Sequence, residues 1–253
     1  MNLGFIGTGK ISSSVIAGIC KSSINYKKIF VSSRNRTIAI KLKKKFKNIV
    51  IEKDNQIIIN KCDWIFLAVT PTVGEKIIKK LNFKSNQTII SFISTITLEQ
   101  LKKMIKVKSD IVRAIPLPPI SLKKGPVPIC PPNKKVKNFF NKIGITIEIN
   151  NEKLSKNFWA ISGTMAPFFE LLNTLSKLLA KKGLNKIESQ KYVVYLYSAL
   201  ADLAVKNVSE PLDNLVKESQ TPGGLNWQGI NELRKLGYYK KLEKVINNIY
   251  KRL

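Results

Sequence analysis

Through the first 150 residues short β-rich runs alternate with helical patterns, and beyond that point the strands stop. Such alternation restricts the first part to βαβ units around a parallel sheet, because parallel neighbours need a crossover between them. "NLGFIG", "KKIFVSS", "NIVIE", "DWIFLAV", "TIISFIS", "DIVRAIP", "GPVPIC" and "ITIEI" read as strands. "DWIFLAV" is apolar throughout, as a central strand covered on both faces should be. "KISSSVIAGICKSS", "TIAIKLKKKF", "TLEQLKKMIK" and "PNKKVKNFFNKIG" read as helices between them. From Lys153 onward only helical runs remain, near 157–183, 186–208, 211–219, 225–236 and 238–252. Gly183, Pro211, Pro222 and Gly237 punctuate them. The predicted fold is α/β, a doubly wound sheet in residues 1–152 followed by an all-α domain in residues 153–253.

The charge is the most conspicuous number in the composition, +28 at neutral pH. Lysine supplies it, with 39 lysines against five arginines and 34 isoleucines, a combination expected of AT-rich codons. The lysines are spread over many short helices and form no basic arm or nucleic-acid module, so solvated faces account for them. A nucleic-acid partner is the alternative, and it would bring a steep salt dependence. Cys20, Cys62 and Cys130 are odd in number and far apart, which points to a reducing, cytoplasmic setting without disulfides. Histidine is absent, so no Cys/His metal site is expected. The opening "MNLGFIGTGK" lacks the pattern of a signal peptide, and Pro167, Glu170 and Lys177 interrupt the most apolar later segment. A bilayer span needs about 20 apolar residues, so a buried helix is predicted there.

Gly7 and Gly9 in "GFIGTGKIS" match the first two glycines of G-x-G-x-x-G between the first strand and first helix. The first permits a tight turn, and the second lets bare backbone reach a pyrophosphate at the helix N-terminus. Ser12 occupies the third position, where a small residue is needed. At the end of the second strand, Ser33-Arg34-Asn35-Arg36 carries no acid, and two of the five arginines fall within three residues. Guanidinium forks suit the 2′-phosphate of NADP(H). The alternative is a pair of arginines capping a surface loop.

"GFIGTGK", "SSRNRT", "LAVTP", "IVRAIP", "ISG" and "TPGG" occur in the order and at about the spacing of pyrroline-5-carboxylate reductase, which the whole chain resembles. The resemblance implies a Rossmann domain followed by a helical dimerisation domain, with NADP(H) reducing a small cyclic imino acid. It implies a homodimer or higher homo-oligomer, with no specific nucleic-acid partner and no membrane partner. Carried over by position, Gly7, Thr8, Gly9, Lys10 and Ile11 match the phosphate loop, and Ser33, Arg34, Asn35 and Arg36 the 2′-phosphate segment. Asn55, Ala68, Val69, Thr70 and Pro71 match further cofactor contacts, with Thr70 in place of the family's lysine. Asn55 also suits a helix N-cap, and the two readings can hold together.

In "SQTPGGLNWQGINEL", Thr221, Pro222, Gly223 and Gly224 keep the family turn whose backbone amides hold the substrate carboxylate. Three departures accompany it. Asn226 replaces the family's threonine beside the imine nitrogen, and Leu225 replaces a smaller neighbour. The opening of the long helix reads Ser162-Gly163-Thr164-Met165-Ala166-Pro167-Phe168, and Ile115-Pro116-Leu117-Pro118-Pro119 loses an Asn-Thr pair. Asn226 is expected either to accept a hydrogen bond from an iminium N–H or to cap a helix beginning at Trp227. Ser162 and Thr164 are expected to be pocket hydroxyls or caps of the long helix. Met165, Leu117 and Trp227 would make a more apolar pocket, consistent with a different cyclic imine. A non-catalytic NADP-binding dimer is a further alternative.

Overall fold

The computed structural model describes all 253 residues. It divides into two compact units, Met1–Trp159 with Leu253, and Ala160–Arg252. The first is built on β1 (Leu3–Ile6), β2 (Ile29–Ser32), β3 (Ile49–Glu52), β4 (Trp64–Leu67), β5 (Thr88–Ser91), β6 (Asp110–Ala114), β7 (Pro126–Cys130) and β8 (Ile145–Glu148). They form one sheet in the order β3-β2-β1-β4-β5-β6-β7-β8. The winding reverses between β1 and β4, which opens a crevice outside the carboxyl ends of those strands.

The parallel sheet expected from the alternation holds from β3 through β6 and fails at one place, where β6 and β7 pair antiparallel. Their connection carries only a 3-10 turn at Pro118–Leu122, too short a path for a parallel crossover. β8 is again parallel to β7.

Helices α1 (Lys10–Cys20), α2 (Arg36–Lys45), α3 (Asn55–Lys61), α4 (Pro71–Ile78), α5 (Leu98–Ile105) and α6 (Lys134–Phe140) cover both faces. The sequence pattern did not reveal α3 and α4, which at 7 and 8 residues are too short to display a 3.6-residue period. Strand residues alternate between two cores. Phe5, Trp64, Phe66 and Ile90 pack with α1 and α6 residues, and Ile6, Ile65, Leu67 and Ile89 with those of α3 and α5. The rings of Phe5 and Phe66 stack with centroids 4.4 Å apart across the β1–β4 pair.

The three cysteines are free. Burial first, then the Asp63 and Glu52 carboxylates, push the Cys62 thiol up to about 12. Burial also raises Cys130 and Cys20, the latter accepting a hydrogen bond from the Tyr26 hydroxyl at 3.3 Å. Thiolate is the reactive form, so at pH 8 Cys62 should react with a disulfide reagent about 1000-fold more slowly in native than in denatured protein. Stopped-flow labelling with and without guanidinium checks this, and a fast native phase at Cys62 would contradict it.

α7 (Ser155–Ser162) carries the chain across the unit boundary. The second unit holds α8 (Met165–Lys181), α9 (Lys186–Lys206), α10 (Leu212–Glu218), α11 (Leu225–Lys235) and α12 (Tyr238–Lys251). One helix was expected over 157–183, but the chain breaks at Gly163–Thr164. Pro167 explains the break: it has no N–H to donate and is tolerated only in a first turn, so a new helix starts at Met165. A Cβ on Gly163 would come within 2.8 Å of Ile249 Cδ1, which is how α12 closes on this break. The unit buries little of its apolar surface; Phe169, Tyr195 and Val208 are 59%, 72% and 78% exposed. No helix of the protein is long and apolar enough to cross a membrane.

Candidate active site

The turn between β1 and α1 is shaped by β2. The Gly7 N–H donates to Ser32 Oγ at 2.9 Å, and Thr8 Oγ1 donates to the Ser32 carbonyl at 2.6 Å. Ser12 Oγ donates to the Gly7 carbonyl at 2.6 Å, so the third fingerprint position closes the turn by hydrogen bonding as well as by size. Thr8 is buried and its hydroxyl is used by Ser32 of β2, which leaves its backbone for a ligand. Ser32 lies one residue before the predicted arginine segment and was missed. Its signal was a hydroxyl at the end of the apolar strand "KKIFVSS".

Gly7 has φ +102°, and a Cβ there would lie 2.6 Å from the Ala68 carbonyl carbon and 2.8 Å from Val69 N. Gly9 differs. It precedes α1 with φ −96°, and a Cβ on it would meet no atom within 4 Å. The space in front of Gly9 is open, and the first-turn amides of α1 have no carbonyl of their own helix to bind. That is the cradle a pyrophosphate fills.

The same open space belongs to a cavity of about 460 Å³ lined by Gly7, Thr8, Gly9, Arg34, Asn35, Arg36, Thr37, Ala68, Val69 and Thr70. Three segments far apart in the chain therefore converge: the β1–α1 turn, the β2–α2 turn and the β4–α4 turn. Asn35 both lines the cavity and caps α2, its side-chain oxygen accepting from Ile38 N at 3.2 Å. Thr37 was not predicted, although it belongs to "SSRNRT". The donor set, helix amides plus two guanidiniums and no carboxylate, fits a phosphorylated dinucleotide.

Lys10, Ile11, Ser33, Asn55 and Pro71 are not among the lining residues. Lys10 and Ile11 form the exposed and half-buried start of α1, where their N–H groups face the cradle end. Ser33 N donates to the Glu52 carbonyl at 3.0 Å, beside β3. Pro71 opens α4 behind Thr70. Asn55 is not the cap of α3. Asp54 has that role, accepting from Gln56 N at 2.8 Å, and Asn55 is the first helical residue.

In the helical unit, Thr221–Gly224 forms a tight turn, with Gly224 N donating to the Thr221 carbonyl at 2.8 Å and Gly223 at φ +74°. Gly224 occupies the N-cap of α11 and supplies no side chain, so the first-turn amides of that helix are bare. Leu225 is 87% exposed. The cap expected of Asn226 is not observed, because α11 begins at Leu225 and Asn226 is already its second residue. Its Nδ2 instead donates to the Ser219 carbonyl at 2.9 Å, seven residues back. That bond fixes the amide plane and leaves Oδ1 as the acceptor. Thr164 likewise makes no side-chain cap of α8, and its hydroxyl donates backward to the Ile161 carbonyl at 2.7 Å. Ser162 is the last residue of α7. A second cavity of about 420 Å³, lined by Val216, Ile230, Arg234, Gly237, Tyr239 and Lys240, contains none of the predicted residues.

Two family models match the chain. Residues 2–95 match "NADP oxidoreductase coenzyme F420-dependent", and residues 152–253 match "Pyrroline-5-carboxylate reductase dimerisation". The pyrroline-5-carboxylate reductase of Synechocystis is 24% identical over 263 residues, covering 100% of this chain and 97% of that one. Among solved structures, the Plasmodium falciparum pyrroline carboxylate reductase with NADP bound superposes with a TM-score of 0.84 at 23% identity, covering 100% and 96% of the two chains. The Streptococcus pyogenes 1-pyrroline-5-carboxylate reductase gives 0.83 at 24% identity, covering 100% and 97%.

Proposed function

Because the chain belongs to the pyrroline-5-carboxylate reductase family, we propose that it uses NADPH to reduce a cyclic imine, 1-pyrroline-5-carboxylate, to L-proline. The observation that carries this reading is the single cavity holding both the Gly7–Gly9 turn and the Arg34–Arg36 segment. Residues 1–152 then serve as the cofactor domain and residues 153–253 as the substrate and dimerisation domain. The protein acts as a homodimer or larger homo-oligomer in the cytoplasm, without a nucleic-acid or membrane partner. Its free cysteines and the exposed apolar side chains of the helical unit support that setting.

In this reading the amides of Gly9, Lys10 and Ile11 hold the pyrophosphate, while Arg34 and Arg36 grip the 2′-phosphate. When bound, the cofactor supplies a hydride. The bare amides after Gly223 and Gly224 anchor the substrate carboxylate. Asn226 Oδ1, oriented by the bond of its Nδ2 to Ser219, accepts the iminium N–H. Asn226 Oδ1 would keep the iminium proton on nitrogen while the C=N carbon is the acceptor for that hydride. No histidine or carboxylate acid is needed, so catalysis rests on orientation in a dry site.

A second reading, reduction of another cyclic imino acid, is favoured by Leu225 and Asn226 where the family carries smaller or hydroxyl-bearing residues. The test is NADPH oxidation by the purified protein with pyrroline-5-carboxylate and, separately, a ring-expanded cyclic imine. Turnover of pyrroline-5-carboxylate is expected, reduced about tenfold or more in Asn226→Ala by loss of a hydrogen bond to a charged group, and retained in Asn226→Thr. Turnover of the larger imine alone would select the second reading. NADPH binding without turnover of any imine would make the protein a non-catalytic relative.

A further inference from the structure

Arg113 is the only charged residue among the buried ones, 7% exposed on β6. Its guanidinium serves two different acceptors. Nη1 donates to Glu152 Oε1 at 2.6 Å, and Nη2 donates to the Ser94 carbonyl at 2.6 Å and more weakly to the Ile93 carbonyl at 3.4 Å. The same Glu152 oxygen accepts from Leu98 N at 2.8 Å, a first-turn amide of α5. Arg113 and Glu152 therefore hold the segment that joins β5 to α5 at two places, at the Ile93–Ser94 carbonyls within it and at the first amide of α5. Arg113 is buried and Glu152 half-buried, and such a pair is weak evidence of a gain in stability.

The held segment leads to the cofactor cavity. A Cβ built on Gly74 of α4 would lie 3.1 Å from Ile96 Cδ1, 3.2 Å from Ile93 Cδ1 and 3.6 Å from Val69 Cγ2. Ile93 and Ile96 thus pack with Val69 around one glycine, and Val69 lines the cavity. The sheet order makes the relation directional. The 2′-phosphate segment lies at the end of β2 and the pyrophosphate cradle at the end of β1, so an extended dinucleotide continues over β4 and β5. A nicotinamide bound at that end would meet the wall that Val69 forms.

We infer that Arg113 and Glu152 are positioning residues for hydride transfer, holding the Ala68–Thr70 wall through the segment between β5 and α5. The inference rests on the reading of the cavity as an NADP(H) site. Neither residue lines the cavity, so neither would be among the phosphate contacts that set affinity. Arg113→Lys keeps the charge but loses the planar fork whose two nitrogens serve the carboxylate and the carbonyl separately. Glutamine at 152 keeps an acceptor for Leu98 N and loses the charge.

The experiment compares Arg113→Lys, Glu152→Gln and the double variant with the wild-type protein. NADPH affinity and the emission of bound NADPH are measured first, then kcat and the kinetic isotope effect with 4-deuterated NADPH on whichever imine the wild type reduces. Expected are a Kd within about twofold of wild type, an altered emission of the bound nicotinamide, and kcat lower by about tenfold in Arg113→Lys from misplacement of the reacting carbon. The isotope effect should rise, and the double variant should be no worse than Arg113→Lys. Unchanged emission and kcat would overturn the inference, as would a tenfold weaker Kd with kcat intact. If Arg113→Lys fails to fold, Glu152→Gln carries the test with the same signs. A wild type that binds NADPH but reduces no imine would defeat the functional reading, while the emission of the bound nicotinamide would still decide this one. Failure of the wild type to bind NADPH would overturn both.

Discussion

Replacing Arg34 and Arg36 together by alanine is expected to weaken NADPH binding by about 100-fold and to leave NADH binding within about twofold. Both side chains line the cavity that contains the pyrophosphate cradle, at the end of β2 where the adenosine ribose belongs. The segment carries no Asp or Glu to receive a ribose 2′-hydroxyl, so its recognition rests on the phosphate. A charge-assisted hydrogen bond contributes about 1.5–3 kcal/mol, discounted here for exposure, and two of them reach the stated factor. NADH lacks the phosphate and gains nothing from either guanidinium. Titration of nicotinamide fluorescence with both cofactors checks the prediction. An equal loss for NADPH and NADH would show that the arginines shape the loop and do not read the phosphate.

Alanine at Gly9 and alanine at Gly7 should separate binding from folding. At Gly9 the added methyl meets no protein atom and φ is already negative, so the melting temperature should stay within about 2 °C of wild type. The methyl instead occupies the space through which the backbone approaches the pyrophosphate. Overpacking there costs about 1–3 kcal/mol, which is about 5- to 150-fold in NADPH affinity. At Gly7 the methyl is driven into the Ala68 carbonyl, and φ +102° is strained for any L side chain. The strain costs about 1–3 kcal/mol and the clash about as much again, so the melting temperature should fall by about 10 °C. Thermal melts of the free protein and NADPH titrations at low temperature measure the two effects separately. A Gly9→Ala variant that binds normally would mean that the ligand does not approach this turn.

Much of the architecture was legible in the chain. Eight apolar runs became the eight strands, and the loss of strands after residue 150 became the helical unit. Gly7 was legible as a turn, because only glycine holds φ +102° without strain. The start of α8 was also readable in retrospect, since Pro167 has no place deeper in a helix. The short helices α3 and α4 were not legible, having too few turns to set up a period. Nor was the antiparallel return at β7, which depends on how little chain separates it from β6.

What the sequence determined by itself was local: strand and helix periodicity, glycine and proline punctuation, and a pair of arginines unusual in a lysine-rich chain. Tertiary structure decided which of these meet. Ser32 reaches Gly7 across 25 residues and Arg113 reaches Glu152 across 39, with no pattern in the intervening chain to announce either contact. The cavity forms because the order β2-β1-β4 sets the ends of three separate strands side by side. Strand order follows from which apolar faces pack best over the whole sheet, a global free-energy balance that no short segment carries.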